Sequence, residues 1–374
     1  MTKPTILRQL RDDIRGFGFK QWFLLLLNLI LLLAMAASLV GLRAVTGTLG
    51  AAMTGAERFQ GGSETRFAQL ASFLPVGEGK AETDILQFRQ TLDTKLTEQS
   101  LEAPENGSLY LDAYSGSASV TVVGDHGSAT ADAIGVGGDF FFFHPLPLRS
   151  GSYISSDDLM DDLVVLDEEM AWRLFGGTDL TGLPLTINGV PFVVAGVVDR
   201  EDDFASQKAY SGEAGLFLSF SALQRLVEDA GIDCYEIVMP DPISGYAKGI
   251  LTESFPNADV VENSSRYSLG HLWEVLRGFG QRSMRANGVI YPYWENAARL
   301  TEDYAVLLLL LSVLLALCPA IFLTVTVIRY IRRGYRFVKA TVPVKVEAAV
   351  EQRKEERLER QYKKKPEEND PWQT

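Results

Sequence analysis

Residues 304–328 contain no charged side chain, and Leu307, Leu308, Leu309, Leu310 and Leu311 follow one another inside this run. As a helix rising about 1.5 Å per residue, the run reaches roughly 36 Å, more than the hydrocarbon core of a bilayer. Asp303 stands directly before it, and Arg329, Arg332, Arg333 and Arg336 follow it. A buried helix of a large soluble protein rarely combines this length with such a basic flank. The run predicts a membrane span over 304–328.

A second apolar run covers 22–42, from Trp22 to Leu42, with Asn28 as its one strongly polar side chain. Ala34-Met35-Ala36 is similar to a signal cleavage site, but a signal h-region is about 7–15 residues and this run is longer. It predicts a second span. The twenty-residue flanks at 1–20 and 329–348 carry five and six basic residues, whereas 43–62 and 284–303 carry two each. Basic flanks stay in the cytoplasm, so both termini are expected inside and 43–303 outside.

That external segment carries 17 Lys+Arg and 38 Asp+Glu, a net charge of −21, while the remaining pieces carry +8. Such an acidic surface repels nucleic acid and phosphate-rich polymers, and nucleic acid is excluded as a partner. Cys234 lies in the external segment and Cys318 in the second apolar run, so no disulfide within the chain is expected. The external segment must be held by its hydrophobic core, which its length allows.

Before the first span, Ile6, Leu10, Ile14 and Phe17 recur at helical spacing among Arg8, Arg11, Arg15 and Lys20. The pattern predicts a cytoplasmic amphipathic helix within 1–21 that lies on membrane lipid. Beyond the first span, 42–59 reads as a helical stalk and 66–74 as a strand stopped by Pro75. Ile85, Phe88, Leu92 and Leu96 mark one face of a helix begun by Thr83 or Asp84. Strands are expected at 109–114, 119–123 and 129–136, separated by Gly116 and Gly124.

Phe140 to Phe143 with Pro145 and Pro147 read as a core-forming crossing into a second, smaller β-rich lobe at about 140–215. There 163–166 is a strand and Asp167 opens a helix that stops at Gly176-Gly177. Strands 183–187 and 190–198 flank Asn188-Gly189, a pair suited to the two positive-φ positions of a tight hairpin. A strand at 216–220, a helix capped by Ser221, a strand at 235–239, a helix at 244–254, a strand at 258–262 and a helix at 269–279 complete an α+β order. The tail at 329–374 is charged and carries Glu356–Arg360 and Glu359–Lys363 at helix-supporting spacing.

Sites of chemistry are absent from the motif pattern. His126, His144 and His271 stand apart from one another without metal-ligand spacing. No Walker-type Gly-Lys-Ser/Thr and no Gly-x-Ser-x-Gly elbow occurs. Asp199-Arg200-Glu201-Asp202-Asp203 is the densest acidic cluster; it lacks the ligand spacing of a calcium loop and reads as a solvated loop tip. Asn106-Gly107-Ser108 matches a glycosylation tripeptide, and Asn28 either hydrogen-bonds a partner helix or is tolerated and inert. The sequence therefore names no catalytic, cofactor-binding or metal residue and predicts no enzyme.

Leu148-Arg149-Ser150-Gly151-Ser152-Tyr153-Ile154, the stretch Val164-Val165-Leu166-Asp167-Glu168-Glu169-Met170-Ala171-Trp172-Arg173-Leu174-Phe175-Gly176-Gly177, and the hairpin around Asn188-Gly189 together resemble the MacB-like periplasmic core domain family of ABC-transporter permeases, in the FtsX-like permease superfamily. The resemblance extends over roughly 5–330. It implies a two-lobed external domain, an α+β lobe with the smaller β-rich lobe inserted, coupled to cytoplasmic ATP hydrolysis without a substrate tunnel through the membrane. Permeases of this kind have four spans; the expectation for this chain is a shortened two-span form. The expected partners are a separate ABC ATPase and further permease chains, in a homo- or hetero-oligomer. The rival expectation is a membrane-anchored interaction module that binds a peptide, lipoprotein or wall component without an ATPase.

Overall fold

The computed structural model describes residues 18–61, 65–99, 107–155, 158, 161–210, 215–282, 285–286 and 288–362. The expected helix around Ile6 to Phe17 and Asn106 of the tripeptide lie outside them. In chain order, helices α1 (Phe19–Thr48), α2 (Gly50–Met53) and α3 (Gly55–Gln60) precede strand β1 (Phe67–Phe73). Helix α4 (Glu82–Glu98) leads to β2 (Leu111–Gly124) and β3 (Gly127–Gly138). Then come α5 (Phe140–Phe143), β4 (Leu148–Gly151), β5 (Leu163–Asp167), α6 (Glu168–Phe175), β6 (Pro184–Ile187) and β7 (Val190–Val198). These are followed by α7 (Phe204–Ala209), β8 (Gly215–Ser219), α8 (Phe220–Leu226), β9 (Cys234–Pro240), α9 (Tyr246–Ser254) and β10 (Asp259–Glu262). The chain continues through α10 (Leu269–Gly278), the short strands β11 (Arg285–Ala286) and β12 (Val289–Ile290), and α11 (Tyr293–Tyr362).

Two compact units result, one of residues 39–309 and one of 1–38 with 310–374. In the latter lie the apolar parts of α1 and α11. Helix α1 and the Tyr293–Arg336 part of α11 are long and apolar enough to cross a membrane, with mean hydropathy 2.7 and 3.0. Their leucines point outward, Leu33 and Leu314 being more than half exposed. A helix with an apolar surface on all sides demands an apolar solvent. The Asn28 Nδ2 donates to the carbonyl of Leu24 at 2.7 Å, one turn back in its own helix. Helix α11 runs unbroken past Pro319 and into the charged tail.

The 39–309 unit is a mixed α+β structure built on one ten-stranded sheet in the order β10-β1-β9-β2-β3-β8-β5-β7-β4, with β6 joined to β2 and β7. The pairs β3/β8 and β5/β7 are parallel, and the other pairings of this sheet are antiparallel. The β-rich stretch at 140–215 supplies the β5-β7-β4 end of the same sheet. The crossing at Phe140 is therefore continuous with the rest through hydrogen-bonded strands. Phe140 and Phe143 are buried as expected of a core.

Helices cover the sheet where their apolar faces dictate. Ile85, Phe88, Leu92 and Leu96 of α4, all buried, lie with Leu251 of α9 against Leu70, Tyr235 and Ile237. Each such Leu or Ile contributes about 1.5–3 kcal/mol by leaving water. Met170 and Leu174 of α6 and Leu223 of α8 pack on Val120, Val164 and Leu166. Asp167 caps α6 by accepting from the Met170 amide at 2.7 Å, and the helix ends at Gly176 with φ 71°. Asn188 (φ 47°) and Gly189 (φ 81°) form the β6–β7 turn as anticipated.

Local expectations failed in two instructive places. The break expected at Gly116 does not occur, because β2 is one strand from Leu111 to Gly124. Gly116 is there for close approach: a Cβ would stand 2.2 Å from the Gly231 carbonyl oxygen. The cap of α8 is Ser219, whose Oγ accepts from the Ala222 amide at 3.2 Å, rather than Ser221. Both serines fit the composition rule for a cap, and only the backbone at Ser219 (φ −61°, ψ 144°) has the extended conformation a cap requires.

Candidate functional site

The first turns of α11 take part in two features of the 39–309 unit. One is a buried ionic clasp. Arg266, 1% exposed, follows a short helical turn at Asn263–Ser265 and sends its guanidinium toward α11. Its Nη1 and Nη2 donate to the two carboxylate oxygens of Glu295 at 2.8 and 2.5 Å, and its Nε donates to Glu302 at 2.5 Å. The remaining Nη1 capacity goes to Asn263 Oδ1 at 2.8 Å. Glu302 also accepts from Arg282 Nη2 at 2.5 Å and pairs with His271 Nε2 at 3.1 Å.

Glu295 and Glu302 are seven residues apart, two turns of one helix face, so a single arginine reaches both. Burial disfavours the charge of Glu302, but Arg266, His271 and Arg282 outweigh it and hold its carboxyl down at about 2. Burial pushes Glu295 up, opposed by Arg266. Bidentate geometry and complete pairing are what make two charges tolerable in a dry interior.

The second feature is a cavity of about 350 Å³. Tyr293 and Trp294 of α11 form part of its wall, facing Phe217 of β8 and Tyr210. Among the described residues, its polar wall holds Asp132, Asp167, Asp199, Glu201 and Asp233 against the cation Arg200. Tyr210 and Tyr293 stack with centroids 4.4 Å apart, and both hydroxyls donate to Glu201. The Arg200 guanidinium lies 3.9 Å from the Tyr210 ring centroid and pairs with Glu169.

The acidic run 199–203 leaves Asp202 exposed but engages its other carboxylates. Asp199 pairs with Arg149, Glu201 with the two tyrosines, and Asp203 caps α7 by accepting from the Ala205 and Ser206 amides. Among the described residues, no three His, Cys, Asp or Glu side chains are placed to hold a metal ion.

Asp233 is the strained member of the cavity wall. Burial raises its carboxyl to about 6, only partly offset by hydrogen bonds involving Ser117. A carboxyl raised in the folded state stabilises the fold while protonated, and that stability is lost as pH rises through about 6. Asp233→Asn is therefore expected to raise the thermal midpoint of the full chain in detergent at pH 7.5, by about 1–3 kcal/mol of stability, and to change it little at pH 4. An equal shift at both pH values would show that the carboxylate is not the source.

The histidines sit apart, as their spacing indicated. His144 is buried, bonded to Glu236 at 2.5 Å and packed 4.6 Å from the Trp294 ring centroid. His271 joins the clasp, and the His126 amide donates to the Leu174 carbonyl at 2.9 Å. Sequence reasoning missed Arg266, Glu295, Glu302 and the cavity. A signal existed for part of it: two carboxylates at two-turn spacing immediately before an apolar run, on a helix otherwise bound for lipid.

Comparison with known proteins places this geometry. The MacB-like periplasmic core domain matches residues 31–244, a shorter stretch than the 5–330 expected. The macrolide export ATP-binding/permease protein MacB of Chromobacterium violaceum is 38% identical over 74 residues, which is 19% of this chain and 12% of that protein. The chain thus spans about one eighth of that relative's length. The periplasmic region of MacB from Actinobacillus actinomycetemcomitans is 18% identical, covering 58% of this chain and 94% of that one, with a TM-score of 0.40. The extracellular domain of the noncanonic ABC-type transporter YknZ from Gram-positive bacteria is 15% identical over 52% of this chain and 100% of that one, with a TM-score of 0.36.

Proposed function

Because the chain belongs to the MacB-like periplasmic core domain family, we infer that it is a permease-type membrane subunit whose extracytoplasmic domain is coupled to a separate cytoplasmic ABC ATPase. The observation that carries this reading is the double engagement of one helix end. Glu295 and Glu302 of α11 are held by Arg266, while Tyr293 and Trp294 of the same helix wall the cavity. Helix α11 then continues without a break to Tyr362.

In this reading both termini are cytoplasmic and 43–303 lie outside. The ATPase-facing surface consists of the segment around Leu10 and Ile14 and the tail after Arg329. Further permease chains complete the assembly. A second reading is favoured by the cavity alone: its aromatic and carboxylate walls suit capture of an external ligand by an anchored module that needs no ATPase.

Affinity purification of the tagged full chain from mildly solubilised, crosslinked membranes decides between them. A Walker-motif ATPase is expected to accompany the wild-type chain and to be lost with Leu10→Asp/Ile14→Asp, membrane insertion being checked alongside. Failure to recover any ATPase with the wild type removes the transporter reading and leaves the anchored module.

A further inference from the structure

A second cavity, of about 320 Å³, opens beside α11 where the apolar run begins. Its wall carries three cations, Lys208, Arg282 and Arg299, against one carboxylate, Asp303. This is the reverse of the surrounding segment, whose net charge is −21. Arg282 is fixed at the rear by Glu302 and Asp303, the latter 2.8 Å from its Nε. Among the described residues, Lys208 and Arg299 have no carboxylate within 4.0 Å. The Arg299 guanidinium rests 4.2 Å from the Tyr291 ring centroid, and the Lys208 ammonium 4.1 Å from that of Phe204.

Depth decides what such a cavity meets. Arg299 precedes Tyr304, the first residue of the charge-free run, by five residues, or about 7.5 Å of helix. The headgroup layer on each side of a bilayer is roughly 5–8 Å thick, so Lys208 and Arg299 stand at the depth of lipid phosphates. The side chains just below agree. Phe204 and Tyr304 meet edge to face with centroids 5.1 Å apart, and the Tyr304 hydroxyl lies 3.5 Å from the Lys208 ammonium.

A second element marks the same level. Leu272 and Val275 of α10 pack on Ala305 and Val306, while Leu269 and Trp273 on its outer side are 72% and 54% exposed. The Arg277 guanidinium stands 5.1 Å from the Trp273 ring centroid. Exposed aromatic rings carrying a cation are the side chains that settle at a membrane–water boundary, the ring toward the acyl region and the charge toward the phosphates. Glu274 is the only carboxylate that α10 itself contributes.

We propose that the basic cavity formed by Lys208, Arg282 and Arg299 binds the phosphate of an anionic phospholipid in the leaflet facing the domain, with Phe204 and Tyr304 against the glycerol and upper acyl region. The site rests on the reading of 304–328 as a span. It seats the domain on the bilayer beside the ionic clasp, so that the clasp's Arg282 and Asp303 have lipid as a neighbour. A phosphate offered in a bilayer and a free phosphate share the same recognition chemistry; the Phe204–Tyr304 pair in contact with Lys208 favours the lipid.

The test uses the purified full chain in detergent, with phosphatidylglycerol or phosphatidylcholine titrated in and binding read by native mass spectrometry. Phosphatidylglycerol is expected to bind well above phosphatidylcholine. Lys208→Gln/Arg299→Gln should weaken it roughly 30-fold, about fivefold for each charge removed near a lipid surface. Lys208→Arg/Arg299→Lys should retain most of the affinity, which separates a lost site from a damaged fold. Arg332→Gln/Arg333→Gln, on the other flank of the run, should leave this site's affinity intact. Equal binding of the two lipids, or unchanged affinity in the Lys208→Gln/Arg299→Gln variant, overturns the site. So does full displacement of the lipid by millimolar inorganic phosphate, which would make it a free-phosphate site. Alkaline carbonate extraction of membranes keeps the premises apart: a chain released by it loses the span and the site together, whereas a retained chain without lipid preference loses the site alone.

Discussion

Arg266→Met is expected to lower the stability of the 39–309 unit by about 3–5 kcal/mol, because it leaves Glu295 and Glu302 buried with their main countercharge removed. The measurement is the thermal or denaturant midpoint of the full chain in detergent at pH 7. The double change Arg266→Met/Glu295→Leu should recover a substantial part of the loss, since an apolar pair of similar volume has no charge to desolvate. Glu302 sharpens the expectation. Its carboxyl is held near 2, below the ordinary glutamate value, so its contribution is present above about 4.5 and is lost as pH falls toward 2. A wild-type midpoint indifferent to pH between 5 and 2, or an Arg266→Met variant as stable as wild type, would show that the clasp holds nothing together.

The second large effect is expected at Gly116→Val. Its Cβ would lie 2.2 Å from the Gly231 carbonyl oxygen and 2.9 Å from the Phe220 ring, at a position paired with Gly135 of β3 and next to the last residue that β2 pairs with β9. Backbone cannot yield there without loosening β2 from β9 or β3, and the cost should reach about 3 kcal/mol or more, the upper range for overpacking. Hydrogen exchange of the β2 amides locates the damage. Protection equal to wild type in β2 and β9 would mean that the contact with Gly231 is not rigid.

Much of the fold could be read from the chain alone. The two apolar runs announced α1 and the Tyr293–Arg336 part of α11, because length without charge is a property of sequence and needs no partner. The three- and four-residue spacing of Ile85, Phe88, Leu92 and Leu96 announced α4, and Asn188-Gly189 announced its turn, since each rests on local periodicity or local backbone sterics. Asp167 and Gly176 delimited α6 for the same reason. Where two local solutions were equally good, as with Ser219 and Ser221, the tertiary path of the backbone chose between them.

The functional features were decided elsewhere. Arg266 is an ordinary charged residue in the sequence, and nothing in its own neighbourhood distinguishes an exposed charge from one with 1% exposure. The run 199–203 reads as a solvated tip until Arg149, Tyr210 and Tyr293, distant in sequence, arrive to satisfy it. The continuity of the sheet across Phe140 likewise depends on the parallel pairing of β3 with β8, which joins residues about eighty positions apart. Local rules are set by the few torsions and contacts a segment carries with it. Burial, countercharge and strand partnership are set by which segments meet, and that is a free-energy minimum of the whole chain.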